Sequence, residues 1–327
     1  MMSLAFATRL NSFASRPEAA WPGLKGKPGV LQLAARAATV TGLTHVDLNY
    51  PDHQGDGIGA TARAIRDLGL ELNGLAMRYY TEPAFKIGAF TIPDPAIRRA
   101  AIDLTKRGID AALEAGSPLM TLWLGQDGFD YAFQADYRRL WDMEIEAIRE
   151  VAAHQPQCDI SIEYKPNEPR SYSLLPDCAT TLLAIREVGL PNLGVTLDFA
   201  HSLYADEQPA LAAALIARHS RLLGVHLNDG YGKRDDGLMV GSVNTLKTIE
   251  LLRQVRKDGY GGPIYFDTFP DMTGLDPVQE CTVNISTVNS MFAVVDRLDA
   301  SNSLDDAMGR QDAVSAQAIV QAALSGR

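Results

Sequence analysis

No stretch of the 327 residues approaches the ~18 to 20 uninterrupted apolar positions that a membrane helix needs, so no membrane partner is expected. The opening MMSLAFATRLNSFAS sets Arg9 and Asn11 where a secretory signal stays apolar, and the expectation is a cytoplasmic protein. Cysteine is scarce. Cys158, Cys178 and Cys281 are odd in number and form no CxxC or Cys/His pair, which argues against a disulfide framework and a thiolate zinc site. They are expected to be buried packing residues. Basic residues are in deficit too: 30 Lys and Arg against 40 Asp and Glu give a net charge of -10, so nucleic acid is not an expected partner.

What the sequence does have is rhythm. Short runs rich in Val, Ile, Leu and aromatics alternate with stretches of helix-forming Ala, Leu, Arg and Glu. The strand candidates are LAFATRLNSF (4–13), LTHVDLNYP (43–51), LELNGLAMRYY (70–80), LMTLWLG (119–125), ISIEYKP (160–166), LGVTLDFAH (193–201), LLGVHLND (222–229) and PIYFDTFP (263–270). Intervening segments such as PAIRRAAIDLTKRGIDAALEAG (95–116) and PALAAALIARHSR (209–221) carry apolar residues at helical spacing.

Eight βα units in about 300 residues predict a single α/β domain folded as a (β/α)₈ TIM barrel. A doubly wound open sheet is the alternative, but the segment after the first strand, RLNSFASRPE, lacks the glycines of a phosphate loop. The barrel is expected over 1–298, and the Ala-rich polar residues 299–327 form a C-terminal helical extension. That extension packs on its own barrel or on a neighbouring subunit.

Chemistry-bearing residues gather near the ends of the late strands: Glu163 and Lys165, Asp198 and His201, His226 and Asp229, then Asp267. In a barrel those ends meet at one mouth, and residues two apart on a strand face the same way. A charge in a strand otherwise built of apolar residues is expensive unless it is paired or binds a metal. Three carboxylates and one imidazole, Glu163, Asp198, Asp267 and His226, form a ligand set for a divalent cation, with Mn²⁺ first and Mg²⁺, Co²⁺ or Zn²⁺ as alternatives. Asp235 and Asp236, in GYGKRDDGLMVGS, are candidates to join His201 in a second site.

Simpler readings stand beside these. A lone acid at a strand end, such as Asp229 or Asp267, is commonly a cap for the following helix. KRDDG reads as a solvated loop, Trp123 as barrel filling, and His45 as a structural histidine as readily as a substrate contact. His53 reads as structural, His154 and His219 as surface residues. Arg9, Tyr79 and Phe129 are further pocket candidates.

The order ExK, DxxH, H, D on strands five to eight resembles the xylose isomerase-like TIM-barrel superfamily, with spacing most similar to L-rhamnose isomerases and related aldose–ketose isomerases. The resemblance runs from about residue 40 to 270 and includes WLGQDGFDY (123–131) and DDGLMVGS (235–242). It implies a metal-dependent aldose–ketose isomerase acting on a free monosaccharide, with one or two ions. Glu163, Asp198, His226 and Asp267 would hold the structural metal, Lys165 would polarise the substrate carbonyl, and His201 with Asp235 or Asp236 would hold the catalytic metal. Glu163 or Asp267 would act as base on an enediol route. Trp123, His45 and Phe129 would contact substrate, and a dimer or tetramer is the expected assembly.

Three rival functions share the barrel. A ketose 3-epimerase of the D-tagatose 3-epimerase kind generally ends its ligand set with glutamate and lacks the Lys two residues after the first ligand. An inosose isomerase or dehydratase is the second. A DNA-repair endonuclease would need more than six histidines and a basic groove. A non-catalytic sugar-binding protein has little use for a stack of buried ionisable groups.

Overall fold

The computed structural model describes residues 4–326. Eight strands, β1 (Phe6–Arg9), β2 (His45–Tyr50), β3 (Glu71–Met77), β4 (Leu119–Leu122), β5 (Asp159–Glu163), β6 (Leu193–Asp198), β7 (Leu222–Leu227) and β8 (Ile264–Phe266), pair in parallel around a closed barrel. Closure comes from β1, which pairs with β8 through Ala7 opposite Tyr265 and with β2 through Ala7 opposite His45. Seven of the eight strands lie within the segments expected from the sequence, and β5 starts one residue ahead of its segment, at Asp159. Their buried stretches are continuous rather than alternating, as in Leu193–Asp198, because helices cover the outside while side chains fill the inside.

The crossover helices begin and end where local chemistry says they should. Asp94 and Asp276 each precede a proline and cap the N–H groups of Ala96 and Ile97, and of Val278 and Gln279. The proline pre-sets the first helical φ and lacks an N–H that would need a partner. Gly189, with φ +72°, ends helix Cys178–Val188 in the left-handed conformation that a side chain disfavours. Cys158, Cys178 and Cys281 are free and buried. Among the described residues no helix is long and apolar enough to cross a membrane.

Helices Ser303–Gly309 and Ala313–Leu324 follow the last crossover helix, Pro277–Leu298, and dock on their own barrel. Arg297 Nε donates to Ala323 O at 2.7 Å, and Arg253 pairs with Asp305 at 3.1 Å. Leu304 and Ala323 are buried.

The loop after β7 is held by one side chain. Asp229 Oδ1 accepts from Gly230 N and Asn244 Nδ2, and its Oδ2 accepts from Val243 N and Asn244 N, all within 2.9 Å. The acid therefore organises the loop, holding the residues that lead into helix Thr245–Lys257 rather than capping it. Replacing it leaves four donors, one of them on the buried Gly230, without their acceptor. Asp229→Ala is expected to lower unfolding stability by about 2 to 4 kcal/mol in urea titrations, with Asp229→Asn milder. A loss below about 1 kcal/mol would contradict this role for Asp229.

Candidate metal centre

Four side chains meet at the C-terminal ends of the last four strands. Glu163 and Asp198 are the final residues of β5 and β6, His226 lies one residue before the end of β7, and Asp267 directly follows β8. Pairing places Asp198 opposite His226 and Glu163 opposite Thr196, two residues before Asp198 and on the same strand face. One ligand atom from each of Glu163, Asp198, His226 and Asp267 lies within 4.8 Å of the others. His226 Nδ1 is 3.1 Å from Glu163 Oε1.

Asn228 holds the cluster in register. Its Nδ2 donates to both carboxylate oxygens of Asp198, at 3.2 and 3.0 Å, and to the Asp267 carbonyl at 3.2 Å. Its Oδ1 accepts from Ala200 N. It is two residues beyond His226, on the same strand face, so its position was readable in the sequence although its role was not. Tyr265, two residues before Asp267, stacks on the His226 ring at 4.1 Å.

A second group sits beside the first. Asp198 caps the short helix Phe199–Tyr204 by accepting from His201 N, so the DxxH spacing turns His201 back over the cluster. His201 Nδ1 lies 3.8 Å from Glu163 Oε1, and its Nε2 lies 3.2 Å from Asp235 Oδ2. Lys165 Nζ reaches the same Asp235 oxygen at 3.1 Å and Glu168 at 2.9 Å. Asp236 does not take part, which corrects its candidacy as a ligand. It faces its own loop, accepting from Tyr231 N and Arg234 Nε, because adjacent residues in an extended loop point opposite ways.

The electrostatics are those of a crowded acidic site. Burial raises the Asp198 carboxyl to about 7; His201 opposes this, while Asp235, Asp267 and Glu163 add to it. Burial also raises Asp267, against the pull of Arg9. Burial would raise Glu163 as well, but the His226 charge and hydrogen bond outweigh it and carry the group down to about 2. Burial opposes protonation of both imidazoles, yet the acids around them raise His226 and His201 to about 9. Protons are thus standing in for positive charge. Three carboxylates and an imidazole fit a hard divalent cation, and the buried, unpartnered Asp235 Oδ1 and His201 Nδ1 leave donor atoms for a second.

Above the cluster lies a cavity of about 300 Å³ whose walls include Trp123, Lys165, His201, Asp235, Asp267 and Arg9. Trp123 forms one wall, with Lys165 Nζ 5.2 Å from its ring centroid. Two expected substrate contacts are elsewhere. His45 opens β2, at the opposite end of the strand from the mouth, where its Nδ1 meets Thr44 Oγ1. Phe129 lies in a two-residue antiparallel pairing with Tyr172–Ser173, stacks on Tyr172 and packs at a tilt against Tyr137, outside the cavity. Gly128 precedes it because a Cβ there would collide with the Tyr172 carbonyl, and this fixed pairing turns the Phe129 ring outward. Tyr79 is buried against Thr105, and its neighbour Tyr80 lines the mouth instead.

Residues that the sequence reading did not single out also line the mouth: Arg78, Glu168, Phe269 and Met272. Asp47, inside β2, is a buried acid below the cluster that the sequence reading did not single out either. Burial raises it to about 7 against its hydrogen bond from Asn73, and its field reaches the Tyr265 hydroxyl. His53 is buried with Nδ1 accepting from Asn49 N, a structural role.

Comparison with known proteins agrees with this geometry. The sequence model of the family described as "Xylose isomerase-like TIM barrel" matches residues 34–282. A xylose isomerase from Thermus thermophilus is 30% identical over 211 residues, 63% of this chain and 54% of that enzyme. The chain therefore spans about half the length of that relative. Among solved structures, an L-ribulose 3-epimerase superposes with a TM-score of 0.68 at 18% identity, covering 90% of this chain and 96% of its own. A D-allulose 3-epimerase from Methylomonas sp., solved with D-allulose, gives 0.64 at 15% identity, covering 88% and 97%. At those identities the structural likeness is one of fold.

Both imidazoles are raised from 6.5 in the folded chain, so without a cation their contribution to stability is whole below pH 6.5 and lost as pH climbs through about 9. A cation must displace the His226 proton. Mn²⁺ affinity of the chelator-treated protein is expected to rise about tenfold per pH unit from pH 6.5 to 8.5, and to fall at least ~100-fold in Asp198→Asn. Calorimetry at several pH values checks both, and a flat pH profile would rule out the imidazole as a ligand.

Proposed function

Because this chain belongs to the xylose isomerase-like TIM-barrel family, we propose that it is a metal-dependent aldose–ketose isomerase acting on a free monosaccharide. The observation that carries this reading is Lys165. It projects into the mouth from just beyond Glu163, shares Asp235 with His201, and leaves its ammonium beside the Trp123 ring.

A 1,2-carbonyl shift develops negative charge on two neighbouring oxygens. A divalent cation held by Glu163, Asp198, His226 and Asp267, with a second at His201 and Asp235, would supply Lewis-acid stabilisation of that charge. Lys165 Nζ donates to the carbonyl oxygen of the sugar and strengthens as that oxygen becomes anionic. Burial would strip its proton, but Asp235 and Glu168 raise its pKa and keep it cationic. Asp235 Oδ1, buried without a hydrogen-bond partner, is the oxygen this side chain would offer to the second cation. Trp123 packs against the apolar face of the ring and, with Tyr80, limits water.

A second reading, C3 epimerisation of a ketose, is favoured by the two carboxylates Glu163 and Asp267, which come from different strands and both line the cavity. Proton removal by one and return by the other would invert a carbon.

The test is turnover on L-rhamnose, D-allose, L-lyxose and D-tagatose after chelation and Mn²⁺ restoration, with products separated by chromatography. Metal-dependent interconversion of aldose and ketose is expected, and Lys165→Met should lower kcat by about 10²- to 10³-fold. Ketose-to-ketose products alone would replace isomerisation with epimerisation. No turnover with any divalent metal would refute activity on these sugars.

A further inference from the structure

Two guanidinium groups stand in the mouth beside the metal cluster, Arg9 touching it through Asp267 at 3.6 Å. Arg9 ends β1, and Arg78 directly follows β3; both line the cavity that holds Lys165 and Asp235. Their hydrogen bonding is incomplete. Arg9 Nη1 and Arg78 Nε are buried with no hydrogen-bond partner. Arg9 meets Asp267 and Asp271 only at 3.6 and 3.5 Å, and among the described residues no carboxylate lies within 4.0 Å of Arg78.

An aromatic ring stands beside each cation, in place of an acid at Arg78 and in addition to two loosely held acids at Arg9. The Arg9 guanidinium lies 4.7 Å from the Phe269 ring centroid, and Arg78 lies 5.9 Å from that of Tyr80, which in turn packs on Trp123 at 5.7 Å. A cation over a ring uses the face of the guanidinium plane and leaves the N–H edge free. Both charges act on the same small region: burial first, then Arg78 and Arg9, lower the His53 imidazole to about 4. A charge drawn out of water with unused donors is expensive, and sugar hydroxyls repay it less than a charged acceptor does.

We propose that Arg9 and Arg78 form an anion subsite in the mouth and that the substrate is a sugar acid whose carboxylate they grip. The proposal rests on the reading of this cavity as a monosaccharide site. A carboxylate matches the planar guanidinium fork. A phosphate ester is disfavoured because the mouth adds no Gly-rich helix start to these side chains, and Arg234, on the neighbouring loop, is committed to Asp236.

Equilibrium binding tests this independently of turnover. Calorimetry on the Mn²⁺-loaded full chain would compare D-glucuronate and D-galacturonate with D-glucose, D-galactose and D-glucose 6-phosphate. The uronates are expected to bind at least about tenfold more tightly than their neutral counterparts, a ratio that falls about tenfold in Arg78→Gln and returns in part in Arg78→Lys. Equal affinities in the wild-type protein, tighter binding of the phosphate ester, or a ratio unchanged in Arg78→Gln would each overturn the subsite. Uronates held through Arg78 but never isomerised would refute the isomerase and leave the subsite. Neutral sugars isomerised with no uronate preference would do the reverse.

Discussion

Holding Glu163, Asp198, Asp267 and His226 with ligand atoms within 4.8 Å of one another is the constraint around which the mouth of this barrel is arranged. Three acids cannot all ionise in so small a buried volume without compensating charge. In the cation-free chain that compensation comes from protons on His226 and His201 and from the nearby Arg9. A divalent cation held by these four residues would supply that positive charge directly.

The surroundings make that arrangement rigid. Asn228 spans from Asp198 to the Asp267 carbonyl, tying together the ends of three strands, and Tyr265 braces the His226 ring. Asp229 fixes the loop that brings Asp235 back over the site. Positioning groups of this kind matter because a ligand set displaced by a fraction of an ångström loses both affinity and selectivity.

The mouth is divided by charge. Lys165, His201 and Asp235 form one side, next to the metal cluster, where Lys165 and Asp235 satisfy one another. Arg9 and Arg78 form the other, braced by Phe269 and Tyr80 and short of acceptors. One side presents an ammonium tied to a carboxylate and the other two guanidinium groups with unused donors, so the cavity has a direction in which a substrate lies.

The eight strands were legible because each is a short apolar run bounded by helix-forming sequence, and the last four candidate ligands because charges in such runs are conspicuous. Asn228 and Tyr265 shared that strand-face periodicity but carry no formal charge, so nothing set them apart from packing residues. His45 and Phe129 were misplaced for different reasons. His45 is the first residue of β2 and so stands at the end away from the C-terminal mouth, whereas a loop ring's direction depends on its pairing, here Phe129 with Tyr172. The choice of Asp235 over Asp236 rested on loop conformation, set at a distance by Asp229, Val243 and Asn244. Hydrophobic periodicity specifies the barrel, and charges within apolar runs specify the kinds of ligand at its strand ends. Which donors converge and which remain unpaired follows from the folded chain, because distances between strands are set by register and closure, which no local pattern encodes.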